Sequence, residues 1–440
     1  MEWIDASEAA RRLGVKPATL YAYVSRGVLR RRRAEDGRRS LFDAEEVERL
    51  ARRGRPRHRP PELVIESAVT ALGADRPYYR GTDALELART RDFESVAEAL
   101  WGTGASGGGR WESDPEALRA AAEAQRGLPA GLLPLDRLQV VVTVLGATDS
   151  LRYQLDPVSA AATGRRLIAG LVDALPPVGE SPAQGTEDVP PARPEDGLPA
   201  RPEDGSPAQS GDGLSIRPGA PLPAGPIAER LWPKLSPHPP TPALLRALQA
   251  ALVLLADHEL AASTLAARVA ASAKADPYAV VLTGLGVLGG PLHGGASYAA
   301  ERLLAEVADP AQASRVVTDR VRRGERVPGF GHTVYRKGDG RAVLLMELVE
   351  AAAPGHGRIA AARAVQREMA RRRLPAMNVD FALATLAAVS GMTPGAGEAI
   401  FAVARTAGWL AHAMEEYAKG TLLRPRASYT GPPPRPTAPG

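Results

Sequence analysis

Apolar residues recur every three to four positions along most of this chain. Alanine and leucine supply most of them, so the pattern predicts helices rather than strands. The first sixty residues break into short pieces. Residues 7–13 (SEAARRL) open on Ser7 as a helix cap, and Gly14-Val15 makes a tight turn. Residues 17–26 (PATLYAYVSR) predict a second helix, with Pro17 in its first turn and Gly27 at its end. Arg30 to Arg33, a turn at Glu35-Asp36-Gly37, and Arg38 to Phe42 then read as a hairpin with cationic strands. Asp43 caps a third helix, AEEVERLARR. Ala9, Ala10, Leu13, Val15, Leu20, Val24 and Leu29 would form a small core between these pieces.

Residues 54–61 (GRPRHRPP) read as a stiff basic linker. A new unit starts at Leu63, where RPYYRGTDALELA and DFESVAEALWGTG predict turns followed by helices. Two alanine-rich helical patterns cover 135–173. Residues 174–226 differ. They are rich in Pro, Gly, Glu and Asp, and PARPEDG occurs at 191–197 and again at 199–205. So few apolar residues cannot offset the entropy of ordering, and a disordered surface insert is expected. From Ile227 to Ala418 the pattern is helical again, with breaks at 233–241, 289–296, 327–340, 354–357 and 391–397. No strand-like alternation of useful length appears, so an all-α core is expected.

With 440 residues and 44% hydrophobic content, two or three domains are expected. The absence of cysteine excludes disulfides, a thiolate nucleophile and cysteine metal sites, and it fits a cytoplasmic location. The segment MEWIDASEAARRLG has no apolar stretch of the signal-peptide kind. No apolar run reaches the roughly 18 residues of a membrane helix, so no membrane partner is expected. The formal charge is +5, but residues 1–61 hold 16 Lys and Arg against 9 Asp and Glu, a net of +7 that leaves −2 for the remainder. This confines any polyanion partner to the first sixty residues. Helix, turn, helix, basic wing and helix in this order resemble the winged helix-turn-helix of MerR- and excisionase-type DNA-binding domains. The resemblance implies that Thr19, Tyr21, Ala22 and Ser25 face the major groove of double-stranded DNA. The wing arginines Arg30, Arg31, Arg38 and Arg39 would contact phosphate. One such domain reads only a half-site, so binding would require a dimer. A helical appendage for protein contacts is the alternative.

The remaining chemistry sits where rare polar residues stand in glycine-rich or apolar settings. Of seven histidines, His293 in GGPLHGGAS and His332 in GFGHTVYRKGDGRA occupy glycine-rich turns, where a ligand can approach the imidazole closely. His293 there could donate to a carbonyl oxygen as negative charge develops. Arg341 follows His332 by nine residues. An arginine clamps a carboxylate while a histidine polarises the neighbouring carbonyl. His258 in DHELAASTLAAR shares one side of a helical pattern with Ala262, Leu265 and Val269, where a satisfied core histidine is the plainer reading. Asp380 in NVDFALATL is either a helix cap or a carboxylate base with its pKa raised by partial desolvation. Arg405 lies on an apolar pattern beside Trp409, and Arg424 stands in LLRPRASYTG. The set suits deprotonation of a carbon acid beside a thioester and its joining to a small dicarboxylate ketone.

The segments HELAAST, GPLHGGA, GFGHTVYRKGDGRA, NVDF, FAVARTAGWLAH and RPRASYTG, in this order, resemble those of citrate synthases, as do YYRGTDALELA and FESVAEALWGTG. The resemblance covers most of 63–440 outside the insert. It implies an all-α two-domain dimer, which here follows the winged helix-turn-helix domain at 1–53 and the linker at 54–61. The large domain would take 62–290 and 392–440, and the small domain 291–391. Asp380 would take the methyl proton of acetyl-CoA, His293 would stabilise the enol, and His332 would polarise and protonate the oxaloacetate carbonyl. His258, Arg341, Arg405 and Arg424 would hold the carboxylates. Neither cofactor nor metal is implied, because the acyl-CoA is a substrate. Thr333 departs from the basic residue of the family pattern, Gly340 from a proline, Ala261 from an asparagine and Ser297-Tyr298 from a polar-acidic pair. Citrate synthase, 2-methylcitrate synthase using propionyl-CoA, and a regulator that keeps the fold as a metabolite sensor all remain open.

Overall fold

The computed structural model describes residues 3–13, 15, 17–25, 28–34, 39–54, 64–104, 110–129, 131–179 and 225–432. The expected turn at 35–37, Arg38, residues 55–61 of the linker and most of the insert lie outside the described residues. The chain divides into two compact units, Met1–Glu66 with Arg424–Gly440, and Ser67–Leu423.

In the first unit β1 (Trp3–Asp5), α1 (Ala6–Leu13), α2 (Pro17–Ser25), β2 (Arg31–Arg33), β3 (Ser40–Asp43) and α3 (Ala44–Gly54) follow one another. The sheet is antiparallel in the order β1-β3-β2, and Phe42 stands opposite both Ile4 and Arg31. Phe42, Leu20 and Val47 are fully enclosed, with Ala9, Ala10 and Leu29 beside them and Leu13, Val15 and Val24 at the margin. The expected core is therefore present. Strand β1 is an addition, since three residues leave no alternation to read. Asp5, not Ser7, caps α1 by accepting the Glu8 N–H at 2.8 Å. Asp43 caps α3 as expected, accepting from the backbone of Glu45 and Glu46 at 3.0 and 3.3 Å.

The second unit opens with a small antiparallel sheet of β4 (Thr70–Leu72), β5 (Pro77–Tyr79) and β6 (Thr82–Asp83), strands too short for the pattern to announce. Helices make up most of the rest. They are α4 (Ala84–Thr90), α5 (Phe93–Trp101), α6 (Pro115–Ala124), α7 (Pro134–Thr148), α8 (Pro157–Asp173) and α9 (Ile227–Leu235). Then follow α10 (Pro242–Leu255), α11 (Ala262–Ser272), α12 (Pro277–Leu288), α13 (Gly295–Glu306), α14 (Ala313–Arg322), α15 (Gly340–Ala352), α16 (Gly357–Arg371), α17 (Val379–Val389) and α18 (Ala396–Lys419). Asp-Pro pairs start several of them. Asp114, Asp156 and Asp276 accept first-turn N–H groups, and the following proline fills a position whose N–H would be unpaired. Helix α18 is the axis of the unit, with all of its 24 residues buried except Glu415, Ala418 and Lys419.

One expectation about the helices fails. His258 does not lie on a helix, because α10 stops at Leu255, α11 starts at Ala262, and Glu259 takes a φ of 52° between them. The alanine-rich spacing runs straight through this break, which is made by backbone geometry and not by a change of composition.

Candidate active site

A single backbone bridge brings two of the candidate segments together. Phe330 pairs with Met377, the Gly331 N–H donates to the Ala376 carbonyl at 2.8 Å, and the Asn378 N–H donates to the Gly329 carbonyl at 2.9 Å. The Asn378 amide adds a bond to the Gly331 carbonyl at 2.9 Å. Gly329 and Gly331 have φ of 79° and 86°, and a Cβ on Gly329 would stand 2.8 Å from that of Phe381. Only glycine takes both positions without strain. Asn378 also caps α17 by accepting the Asp380 N–H at 3.1 Å. Asp380 is thus not the cap, and its carboxylate is left for another task.

His332 is held in one tautomer. Its Nδ1 accepts the backbone N–H groups of Val334 and Tyr335 at 3.0 and 3.2 Å. An accepting nitrogen carries no proton, so the neutral ring is protonated on Nε2. Burial, and then the Arg341 charge, push its pKa down to about 4. Arg341 Nη2 lies 3.4 Å from Nε2. Both nitrogens carry hydrogen, so they form a pair of donors facing a place for an acceptor oxygen. Buried Arg341 forks onto Asp339 through Nε and Nη2, each at 2.9 Å. Asp339 caps α15 and accepts the Val379 N–H at 3.1 Å, which ties the starts of α15 and α17 together.

Tyr335, also buried, stacks on His332 with ring centres 4.7 Å apart. The His258 and His332 ring centres lie 5.3 Å apart. Burial, followed by Arg341 and Arg405, holds His258 far below the usual histidine range. Arg405 on α18 donates through Nε to the Leu255 carbonyl at 2.8 Å, yet its buried Nη1 has no partner among the described residues. Such a group is costly unless an anion meets it.

His293 lies in the turn before α13, with Nε2 2.6 Å from the Ser263 hydroxyl. Trp409 Nε1 donates to the same hydroxyl at 3.2 Å. The serine therefore has its own hydrogen to give, and giving it to Nε2 leaves the His293 proton on Nδ1. Burial, and then Arg405, push His293 down to about 4. Phe401 lies against both, 5.8 Å from the His293 ring centre and 4.7 Å from the Arg405 guanidinium carbon. Asp380 Oδ1 accepts the Ser297 hydroxyl at 2.5 Å. Burial pushes Asp380 up to about 6, while Ser297, Arg341 and Arg405 pull it down.

Six of the seven expected residues thus come together as three neutral imidazoles, a carboxylate of raised pKa and two buried arginines. Arg424 is exposed in the extended segment after α18 and belongs to the first unit. Thr333 is exposed and makes no hydrogen bond among the described residues. Sequence reasoning gave no role to Tyr335, Ser263, Ser297, Asp339 or Asn378. The first and fourth sit in the His332 motif itself, and Ser297 is one helical turn beyond His293, so spacing could have pointed to them. A cleft of about 410 Å³ adjoins the bridge, with Phe330, Arg367, Leu374 and Met377 on its walls. No group of His, Asp and Glu among the described residues could hold a metal ion.

In the first unit Tyr21 is exposed, Thr19 is half-buried, and the Arg31 guanidinium lies 5.9 Å from the Tyr21 ring centre. Arg39 is exposed. Arg30 is committed within the fold, to Glu46 at 2.6 Å and Asp43 at 2.9 Å.

The family model described as citrate synthase, C-terminal domain, matches residues 62–426, and a helix-turn-helix domain matches residues 3–55. Citrate synthase 2 of Bacillus subtilis is 29% identical over 389 residues, 84% of this chain and 94% of the relative. The 2-methylcitrate synthase of Mycobacterium tuberculosis is 28% identical over 369 residues, 80% of this chain and 84% of the relative. The solved ternary complex of Thermoplasma acidophilum citrate synthase with carboxymethyl coenzyme A and oxaloacetate has the same fold. It aligns with a TM-score of 0.65 at 22% identity, over 86% of this chain and 97% of that one. With its helical core, its gathered histidines and carboxylate, and a family match spanning most of its length, the chain belongs to the citrate synthase family of acyltransferases, and it carries a helix-turn-helix domain at its N-terminus.

Proposed function

We propose that the chain condenses an acyl-CoA with oxaloacetate, acetyl-CoA giving citrate and CoA. The observation that carries this is the state of the three groups in the site, a carboxylate pushed up to about 6 beside two histidines held neutral at about 4. A base of that pKa is charged at neutral pH and still able to hold a proton. Asp380 takes a methyl proton, and the His293 Nδ1–H donates to the enol oxygen that forms. The nucleophilic carbon attacks the ketone carbon of oxaloacetate, whose oxygen gains a proton from His332 Nε2. The proton on Asp380 must then return to His332 Nε2, which restores both groups and makes condensation proton-neutral. Hydrolysis of the thioester then consumes one water and releases CoA.

His258, Arg341 and Arg405 hold the oxaloacetate carboxylates, and Arg405 Nη1 gains the partner it lacks. The cleft beside Phe330 and Met377, with Arg367 on its wall, suits the long arm and phosphates of CoA. His293, His332 and Asp380 all fall in 291–391, the proposed small domain, whereas His258 and Arg405 fall outside it. Closure of one part on the other would then complete the site and exclude water.

The test is release of CoA thiol from the purified chain given oxaloacetate with acetyl-CoA, and separately with propionyl-CoA. No thiol from either overturns the enzyme reading. Preference for propionyl-CoA makes the product 2-methylcitrate. One methylene is worth only about 1–3 kcal/mol of discrimination, so both rates are measured.

The first unit favours a second role. The exposed strand β2 (Arg31–Arg33) and exposed Tyr21 suit double-stranded DNA, bound by a homodimer that presents two such units to two half-sites. Duplex binding that weakens with salt and vanishes on deleting residues 1–61 is the expected result.

A further inference from the structure

We propose that Ser297 is a positioning residue for the base, clamping Asp380 Oδ1 so that Oδ2 is the atom that takes the substrate proton. This rests on the reading of Asp380 as the base. A serine hydroxyl has one hydrogen, and here it points to Oδ1 over 2.5 Å. Oδ2 makes no hydrogen bond among the described residues. A carboxylate held at one oxygen and open at the other has lost its freedom to rotate about the Cβ–Cγ bond, and the open oxygen has a fixed direction.

The clamp is itself fixed. Ser297 is fully buried in the first turn of α13, and its N–H donates to the Gly294 carbonyl at 2.8 Å. Its Cβ lies 3.4 Å from where a Cβ on Gly397 of α18 would stand, an ordinary contact distance, so α13 and α18 pass closely at this point. His293 precedes Ser297 by four residues, so the turn that presents the enol donor also presents the clamp. The other charges acting on Asp380 come from different elements. Arg341 and Asp339 act from the start of α15, and Arg405 and Glu398 from α18. The two arginines favour the charged carboxylate, the two acids oppose it, and the Ser297 bond favours it.

The experiment compares the full chain with Ser297→Ala, Ser297→Thr and Asp380→Asn in thiol release across pH, using acetyl-CoA and its trideuteriomethyl form. Ser297→Ala should lower kcat about 10- to 100-fold with little change in KM for oxaloacetate. It should also move the acid limb to higher pH and raise the deuterium isotope effect, because proton removal becomes the slower step. Ser297→Thr, which keeps the hydroxyl, should restore the acid limb. An acid limb and isotope effect unchanged in Ser297→Ala, while Asp380→Asn is inactive, overturns the clamp and leaves the base in place. Activity in Asp380→Asn overturns the base reading, and the clamp with it.

Discussion

The Tyr335 hydroxyl and His258 Nε2 lie 3.0 Å apart, and the same tyrosine ring stacks on His332. One side chain therefore sets two histidines. Burial pushes the Tyr335 phenol above its ordinary pKa and holds His258 below its own, so both are neutral. Between a neutral phenol and a neutral imidazole the phenol is the donor. His258 then keeps its proton on Nδ1, on the side of the ring away from Tyr335. Tyr335→Phe retains the stack and removes this bond. It should raise KM for oxaloacetate about 3- to 10-fold, with a smaller effect on kcat, measured by initial rates. An equal loss in kcat would place the hydroxyl in the chemistry instead.

The pH dependence of activity should have one step, not two. Asp380 must be charged to accept a proton, and its pKa is about 6, whereas His293 and His332 remain neutral down to about 4. Below pH 6 the rate kcat/KM should therefore fall about tenfold per pH unit with a slope of one, steepening only where the histidines charge. A slope of two near pH 6 would show a histidine titrating with the carboxylate.

Stability should move the opposite way from activity at Asp380. An acid whose folded pKa lies above its ordinary value holds its proton more tightly folded than unfolded. Its contribution is therefore greatest at low pH and is lost as pH rises from about 4 to about 6. Removing the charge with Asp380→Asn should abolish thiol release yet stabilise the fold at pH 7.5. About 1–2 kcal/mol is expected, after allowance for partial exposure, read as a rise in the denaturant midpoint.

Much of this was legible in the sequence because glycine, histidine and proline mark backbone geometry directly. GGPLHGGAS and GFGH named two turns that the fold requires, and the hairpin between Arg30 and Phe42 announced itself by charge. The break around His258 was not legible, because alanine fits a helix and a turn alike and the positive φ falls on Glu259. Asp339 was hidden for another reason. Its neighbour Arg341 looked like a free clamp, whereas that arginine is half committed to Asp339 two residues before it, and the tie of Asp339 to α17 needs the fold. Arg30 likewise has partners that the sequence did not announce. It reads as one of four wing arginines, and its partners Asp43 and Glu46 lie thirteen and sixteen residues away.

That difference among the arginines separates binding from folding in the first unit. Arg31→Ala with Arg32→Ala removes two exposed charges of β2. The double variant should weaken duplex binding and reduce the salt slope by about one per lost phosphate contact, with little change in melting temperature. Arg30→Ala should do the reverse, loosening the junction of β3 and α3 while leaving most of the salt slope. Fluorescence anisotropy at several salt concentrations, with thermal melts of the same samples, tests both. Equal effects of the two variants on binding would make Arg30 a phosphate contact after all.

Gly340 is a departure from the family pattern that the fold explains. Its N–H donates to the Asp75 carbonyl at 2.8 Å, and a Cβ there would lie 3.0 Å from that oxygen. Gly340 is the first residue of α15, a position where proline is ordinarily welcome because its missing N–H would go unused. Here the N–H is used, and it links the loop before β5 to the helix that carries Arg341. Gly340→Pro would remove that donor, leave a carbonyl unpaired and press a ring against it. A loss of about 1–3 kcal/mol in the denaturant midpoint should outweigh any gain from a stiffer unfolded chain. Because Gly340 immediately precedes Arg341, KM for oxaloacetate should rise as well. A Gly340→Pro variant as stable as the parent would mean that Asp75 moves aside at little cost, and the link between the loop and α15 would lose its significance.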